Sequence, residues 1–122
     1  MDNTFRIDEK LYRAIYPPEV VEMFWRKDGT ISSAAFADPK GLSVDRGDFR
    51  EDEVVVEDLK RRFVGRIISL YVKNCYDMGA VVRYLPSRNN LYHSEIHGSE
   101  TVALLSKPQR LYLARKARII QE

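Results

Sequence analysis

Apolar residues recur with a helical period in the middle of the chain. Val55, Leu59 and Phe63 are spaced four residues apart, so they share one side of a helix that we predict over about residues 51–63. Acids crowd the start of this segment, and three cations close it: Lys60, Arg61 and Arg62. That order of charges suits the dipole of a helix and supports the same boundaries.

A second helical pattern lies near the end of the chain, over about residues 107–118. Ser106 and Gln109 have the spacing of a capping box, and Pro108 is tolerated in a first helical turn. Three apolar residues then lie on one narrow face: Leu113, Ala117 and Ile120. We therefore predict a C-terminal helix that ends near residue 118.

Between and before these helices the pattern favours strands. Residues 66–72 and 80–85 are rich in β-branched and aromatic side chains and are separated by a turn sequence at 77–79, which predicts a hairpin. Three earlier segments also read as strands, namely 11–16, 30–36 and 42–44. Residues 18–26 combine an initial proline with apolar pairs four apart, which favours a short helix there.

The predicted fold class is therefore α+β, with a mainly antiparallel sheet. No linker, repeat or shift in composition divides the 122 residues, so we expect a single domain over residues 1–122. A chain of this length can bury about two-thirds of the surface that it exposes when unfolded, which is enough for a core without disulfides.

Several classes of protein are disfavoured by composition. The longest apolar runs reach only four residues, far from the ~20 that cross a bilayer, so we expect no membrane association. The start of the chain, Met1 to Arg6, lacks the pattern of a signal peptide, and Cys75 has no second cysteine to pair with. These features predict a cytoplasmic protein. With a net charge of only +2, the protein does not have the strong positive field that is typical of dedicated nucleic-acid binders.

The segment 92–98 contains both histidines of the chain. His93, Glu95 and His97 occupy alternate positions, so on a strand they point to one face. Two imidazoles and a carboxylate can ligate zinc or non-haem iron, and they can also act as general acid and base. Neighbouring side chains on one face lie about 6 to 7 Å apart, so a flat strand keeps the three from reaching one ion. We therefore predict no metal here.

Other motifs for chemistry are incomplete. No glycine-rich phosphate loop occurs, which argues against nucleotide cofactors, and we expect no cofactor. His93-Ser94-Glu95 resembles half of a deaminase zinc motif, but the cysteine half is missing. Residues 41–45 begin like a nucleophile elbow but have Asp45 where a glycine is needed. A pairing of Cys75 with His93 is a further alternative, although a lone cysteine in an apolar segment is usually a buried structural residue.

The C-terminal helix carries the clearest signal for binding. Five cations and no acid lie between residues 107 and 118. At 100° per residue, four of them fall on one face: Lys107, Arg110, Arg115 and Arg118. Tyr112 lies on the same helix away from the apolar stripe. Such a face suits phosphates or an acidic protein surface, and it also occurs as a solvated helix end with no partner.

Two functions follow as expectations. The first is a non-catalytic binding module that engages a protein partner or nucleic acid through the basic C-terminal helix. The alternative is a small hydrolase, such as a nuclease or toxin, that uses His93, Glu95 and His97 as metal ligands or acid and base groups, with Arg83 or Arg88 holding phosphate. Convergence of the three side chains in a pocket would favour the enzyme.

Overall fold

A six-stranded antiparallel sheet organises the chain, which a computed structural model describes over residues 3–122. Met1 and Asp2, at the start of the predicted domain, lie outside the described residues. The strands are β1 (Lys10–Ile15), β2 (Leu42–Arg46), β3 (Arg66–Tyr71), β4 (Val81–Tyr84), β5 (His93–His97) and β6 (Arg118–Gln121). Their order across the sheet is β4-β5-β2-β1-β3-β6. The predicted α+β class with an antiparallel sheet is confirmed.

Three α-helices accompany the sheet: α1 (Asp52–Arg62), α2 (Val72–Asp77) and α3 (Lys107–Lys116). The helix predicted over 51–63 agrees with α1 to within one residue at each end. The short helix predicted near 18–26 is a single 3₁₀ turn, Glu22–Phe24. None of the helices in the described part of the chain is both long and apolar enough to cross a membrane.

The two faces of the sheet bury separate clusters of side chains, because successive strand residues point to opposite faces. The larger cluster includes Leu11, Ile68 and Ile96 together with Leu113 of α3. The smaller cluster joins Tyr12 and Ile67 of the sheet to α1, whose buried residues are Val55 and Leu59. Helix α1 therefore covers one face over β1 and β3, whereas α3 packs on the other.

The predicted hairpin of residues 66–72 and 80–85 is wrong. Its two segments do form β3 and β4, but α2 intervenes and the strands lie far apart in the sheet, with β4 at one edge. The segment after β3 turns into a helix because Val72 and Cys75 bury themselves in the larger core. The Asn74 side chain then accepts a hydrogen bond from the Tyr71 amide at 2.8 Å, which fixes the start of the helix.

Two further predictions also need correction. The C-terminal helix ends at Lys116 rather than near 118, because Ile119 and Ile120 contact opposite clusters, which only a strand allows. Arg118 is thus a residue of β6. The segment 30–36 forms a 3₁₀ turn, Ser33–Phe36, instead of a strand.

A buried ion pair joins the start of β1 to the end of β2. Glu9 and Arg46 are each only 1% exposed, and their side chains form two hydrogen bonds of 2.8 and 2.9 Å. The Arg46 guanidinium also donates to the carbonyl of Thr4 and lies 4.2 Å from the Phe5 ring centroid. Burial acts to raise the pKa of Glu9, but Arg46 outweighs it, so that pKa lies below its ordinary value.

Candidate binding surface and histidine cluster

Helix α3 is fixed at its first turn by a capping box. The Ser106 hydroxyl accepts from the Gln109 amide at 3.3 Å, and the Gln109 side chain accepts from the Ser106 amide at 2.9 Å. The same side chain donates to the carbonyls of Met78 and Gly98. Because Leu113 is fully buried, this anchoring turns the opposite side of α3 toward solvent.

Four cations of the C-terminal segment form what we call the basic surface: Lys107, Arg115, Lys116 and Arg118. All four are exposed, and within residues 3–122 none of them forms an ion pair with an acid. Three of the four belong to α3, whereas Arg118 extends the surface onto the edge strand β6. An unpaired positive field of this kind attracts an acidic partner.

Two residues predicted to share in binding are partly occupied by contacts within the fold. The Arg110 guanidinium donates to the Leu105 carbonyl at 2.6 Å and is half-buried, so it serves the turn before α3. Tyr112 is also half-buried, and the Lys116 ammonium lies 5.5 Å from its ring centroid. Both residues therefore border the basic surface, and neither offers a fully open side chain to a partner.

Strand β6 is flanked by cavities on both faces of the sheet. On the side of the larger core, a cavity of about 360 Å³ is lined by Arg26, Ile31, Ala114, Arg115 and Ile119, among others. On the side of α1, a cavity of about 230 Å³ is lined by Tyr71, Lys116, Arg118 and Ile120, among others. These cavities cannot be predicted from local sequence patterns, because they depend on β6 being a strand and on its pairing with β3.

The three residues of the histidine cluster lie on β5 and face the same side of the sheet, as the alternation predicted. The Glu95 carboxylate lies between the two rings: the His97 Nε2 atom is 2.8 Å from Oε1, and the His93 Nε2 atom is 3.5 Å from Oε2. Gly41 closes over this cluster with a φ of +103°, where an added side chain would come within 2.6 Å of His97. The side chains therefore contact one another, but of the three only His93 lines the cavity beside them.

Both ring nitrogens of His97 are already engaged. Arg83 donates to Nδ1 at 3.4 Å, which leaves Nε2 to carry the hydrogen that bonds Glu95. A ring in this state has no free lone pair for a metal ion. Within residues 3–122, no group of three or more histidine, cysteine, aspartate or glutamate side chains is arranged to hold a metal.

His93 lies at the border of a third cavity, of about 240 Å³, with Ser43, Phe63 and Asn90. Beneath it, Asp45 accepts hydrogen bonds from Asn90 at 2.9 Å and from Arg62 at 2.6 Å. Of the two arginines considered for phosphate, Arg83 is paired with Glu100 at 3.1 Å, and Arg88 is exposed in the loop after β4.

Cys75 is separated from the histidine cluster by the sheet. It is fully buried in the larger core, whereas His93 pairs with Asp45 across β5 and β2 and so faces the side of Tyr12 and α1. Burial raises the pKa of the Cys75 thiol to about 12. A thiol with that pKa is almost wholly protonated near neutral pH and is a poor nucleophile.

The fold and surface thus define an α+β protein with an edge strand, a basic helix beside it and a polar cluster on the sheet. Comparisons with protein-family models, with curated proteins and with solved structures each found no match to this chain.

Proposed function

We propose that this protein is a cytosolic binding module that docks an acidic segment of a partner protein on the basic surface. One observation carries the proposal: every cation of that surface is exposed and lacks an acidic partner within the described chain. Other cations, such as Arg46, Arg62 and Lys73, meet acids at hydrogen-bond distance. Three more cations are also exposed without an acidic partner in the described chain, but they lie in separate turns and do not form one surface: Lys27, Lys40 and Arg88. A partner with acidic side chains could pair with these cations, and no ion pair within the fold would have to break first.

A protein partner is favoured over nucleic acid by the small overall charge of the chain. The net charge of +2 provides little general attraction for a phosphate backbone. The rings near the basic surface do not separate the two kinds of partner, because Tyr112 is half-buried whereas Tyr71 is 44% exposed.

Binding to two defined probes tests the proposal. A fluorescent peptide of alternating glutamate and valine and a single-stranded oligonucleotide of equal charge are titrated with the protein, and affinity is measured by fluorescence anisotropy. We expect the peptide to bind more tightly. The double variant Arg115→Glu with Arg118→Glu should weaken it by about tenfold, equivalent to about 1.4 kcal/mol.

The matched control reverses two other exposed cations that lack an acidic partner in the described chain, Lys40→Glu and Arg88→Glu, and so changes the net charge equally. This control should bind almost as well as the unaltered protein. Equal losses in both double variants would mean that only net charge matters, which contradicts a defined surface. Tighter binding of the oligonucleotide, with a slope of log affinity against log salt that flattens in the Arg115/Arg118 variant, would assign the surface to nucleic acid instead.

The alternative of a small hydrolase rests on the cavity beside His93. Its chemistry would have to use His93 and Glu95, because both nitrogens of His97 are engaged by Arg83 and Glu95. General acid and base action needs a group with a free lone pair or proton at the cavity, and His93 is the member of the cluster that lines it. Because only one of the three candidate groups lines that cavity, the three do not converge in a pocket, and the binding module has the stronger support.

A further inference from the structure

Strand β6 lies at the edge of the sheet and pairs only with β3 among the described strands. The backbone groups along its other edge have no partner strand in residues 3–122. A free edge of this kind accepts an added strand through main-chain hydrogen bonds, and pockets for alternate side chains then provide selectivity.

The surroundings of β6 supply such pockets on both faces. The cavity beside Ile119 opens on the side of the larger core, and the cavity beside Ile120 opens on the side of α1. Successive residues of an added strand point to alternate faces, so its side chains would enter these two cavities in turn. A helix or globular surface laid against the edge could not use both.

Charge differs between the two ends of β6. At its start, Arg118 lies beside Lys116, and Arg115 lines the cavity on the other face. One acid lines each of these cavities, but each already has partners within the fold: Asp52 is bound by Lys10 and Tyr12, and Asp28 by Thr30.

At the end of β6, Gln121 lines a cavity of about 430 Å³ together with Asp52, Glu53 and Glu57. The cations at this end, Lys60 and Arg66, are already bound to the carbonyl and the carboxylate of Glu122. Acidic side chains of a partner are therefore favoured at the Arg118 end and disfavoured at the Gln121 end.

We propose that β6 receives an extended segment of the partner protein as a seventh strand, antiparallel like every other strand pair of the described sheet. This inference rests on the proposed docking function and adds its geometry. An antiparallel strand begins opposite Gln121 and ends opposite Arg118. The segment is therefore apolar in its N-terminal half and acidic in its C-terminal half. The opposite edge strand, β4, is less suited to such a segment, because its Arg83 is already paired with Glu100.

Peptides of about eight residues, long enough to extend beyond both ends of the 4-residue β6, test this geometry. The first has valine and threonine in its N-terminal half and alternating glutamate in its C-terminal half, and the second has the two halves exchanged. We expect the first to bind about tenfold more tightly, because the exchanged peptide places its acids beside Glu53 and Glu57. Equal or tighter binding of the exchanged peptide would overturn the antiparallel assignment.

Backbone methylation then separates strand addition from simple charge attraction. Two versions of the first peptide are N-methylated, one at odd and one at even positions of the strand. In a ladder only alternate amides face the neighbouring strand, so one version should lose about tenfold or more in affinity and the other should lose little. The amides of β6 should also exchange with deuterium more slowly when the unmethylated peptide is bound.

Failure of this inference is distinguishable from failure of the proposed function. If both methylated peptides bind like the unmethylated one, or if the unmethylated peptide does not bind, strand addition is overturned. In both of these outcomes the docking function could still hold. It would be supported if the double variant Arg115→Glu with Arg118→Glu bound the glutamate–valine peptide more weakly than the unaltered protein does. If that double variant changes nothing, the proposed function itself fails.

Discussion

Charged residues behave differently in the first half of the protein and at its C-terminal end. Around β1, β2 and α1, acids and cations meet each other: Asp52 accepts from Tyr12 at 2.6 Å and from Lys10 at 3.1 Å, and Arg62 bridges Asp45 and Asp58. On the basic surface, no cation meets an acid within the described chain. The first region uses its charges to hold elements together, and the second leaves them available for another molecule.

The energetic consequences differ as well. Breaking a buried ion pair leaves an uncompensated charge in the core, which costs far more than removing a charge that water already solvates. Variants in the first region should therefore change the free energy of unfolding, and variants of the basic surface should change binding with little effect on stability.

The largest effect is expected from Arg46→Ala, which removes both hydrogen bonds between Arg46 and the buried Glu9 carboxylate. That carboxylate then retains the Asp48 amide at 3.1 Å and Arg6 at 3.8 Å. We expect the free energy of unfolding to fall by about 3 to 5 kcal/mol, as measured by urea denaturation. The matched variant Arg118→Ala removes an exposed arginine and should change stability by no more than about 0.5 kcal/mol. A loss below about 1 kcal/mol for Arg46→Ala would show that the pair is not desolvated as the structure indicates.

Acidification is expected to have the second-largest effect, and it should destabilise the first region. The hydrogen bond from Tyr12, followed by that from Lys10, lowers the pKa of Asp52, and the pKa of Glu9 is also lowered. For carboxyls with lowered pKa values, the stabilisation is complete above the unfolded values of about 4 and is lost as pH falls through the folded values. The midpoint of urea unfolding should therefore decrease steadily below about pH 4.

The variant Asp52→Asn serves as the check on this pH dependence. It removes one of the carboxyls whose pKa is lowered, so its stability should decline less steeply with falling pH than that of the unaltered protein. Parallel curves would show that the contacts of Asp52 with Tyr12 and Lys10 do not contribute to acid sensitivity.

The smallest effect concerns metal at the histidine cluster. We expect elemental analysis of the purified protein to find no stoichiometric zinc or iron, because His97 has both nitrogens engaged by Arg83 and Glu95. About one metal ion per chain, lost in His97→Ala, would contradict this and would support the hydrolase.

Local signals in the sequence predicted local structure well. The start of α3 followed from Ser106 and Gln109, whose capping hydrogen bonds the structure confirms. The shared face of His93, Glu95 and His97 followed from strand alternation. The contacts among these side chains did not follow from alternation. The Glu95 carboxylate reaches both histidine rings along the strand, and the spacing of backbone atoms does not predict where the side-chain ends meet.

Features that depend on distant partners were missed. Nothing near Arg46 in the sequence indicates that it pairs with Glu9, which lies 37 residues away. The helical spacing of Ala117 and Ile120 could not show that β3 would recruit Arg118–Gln121 into the sheet. The edge strand and its cavities, which carry the proposed docking site, therefore emerge only from the fold.

The most direct test of the contrast between the two regions measures binding and stability on the same two variants. The double variant Arg115→Glu with Arg118→Glu and the single variant Arg46→Ala are each titrated with the glutamate–valine peptide under conditions where both are folded, and each is unfolded in urea. We predict that the double variant loses about tenfold in affinity while its unfolding free energy changes by about 1 kcal/mol or less. Arg46→Ala should show the reverse pattern. Full peptide affinity in the double variant, with its fold intact, would contradict the assignment of the basic surface to binding.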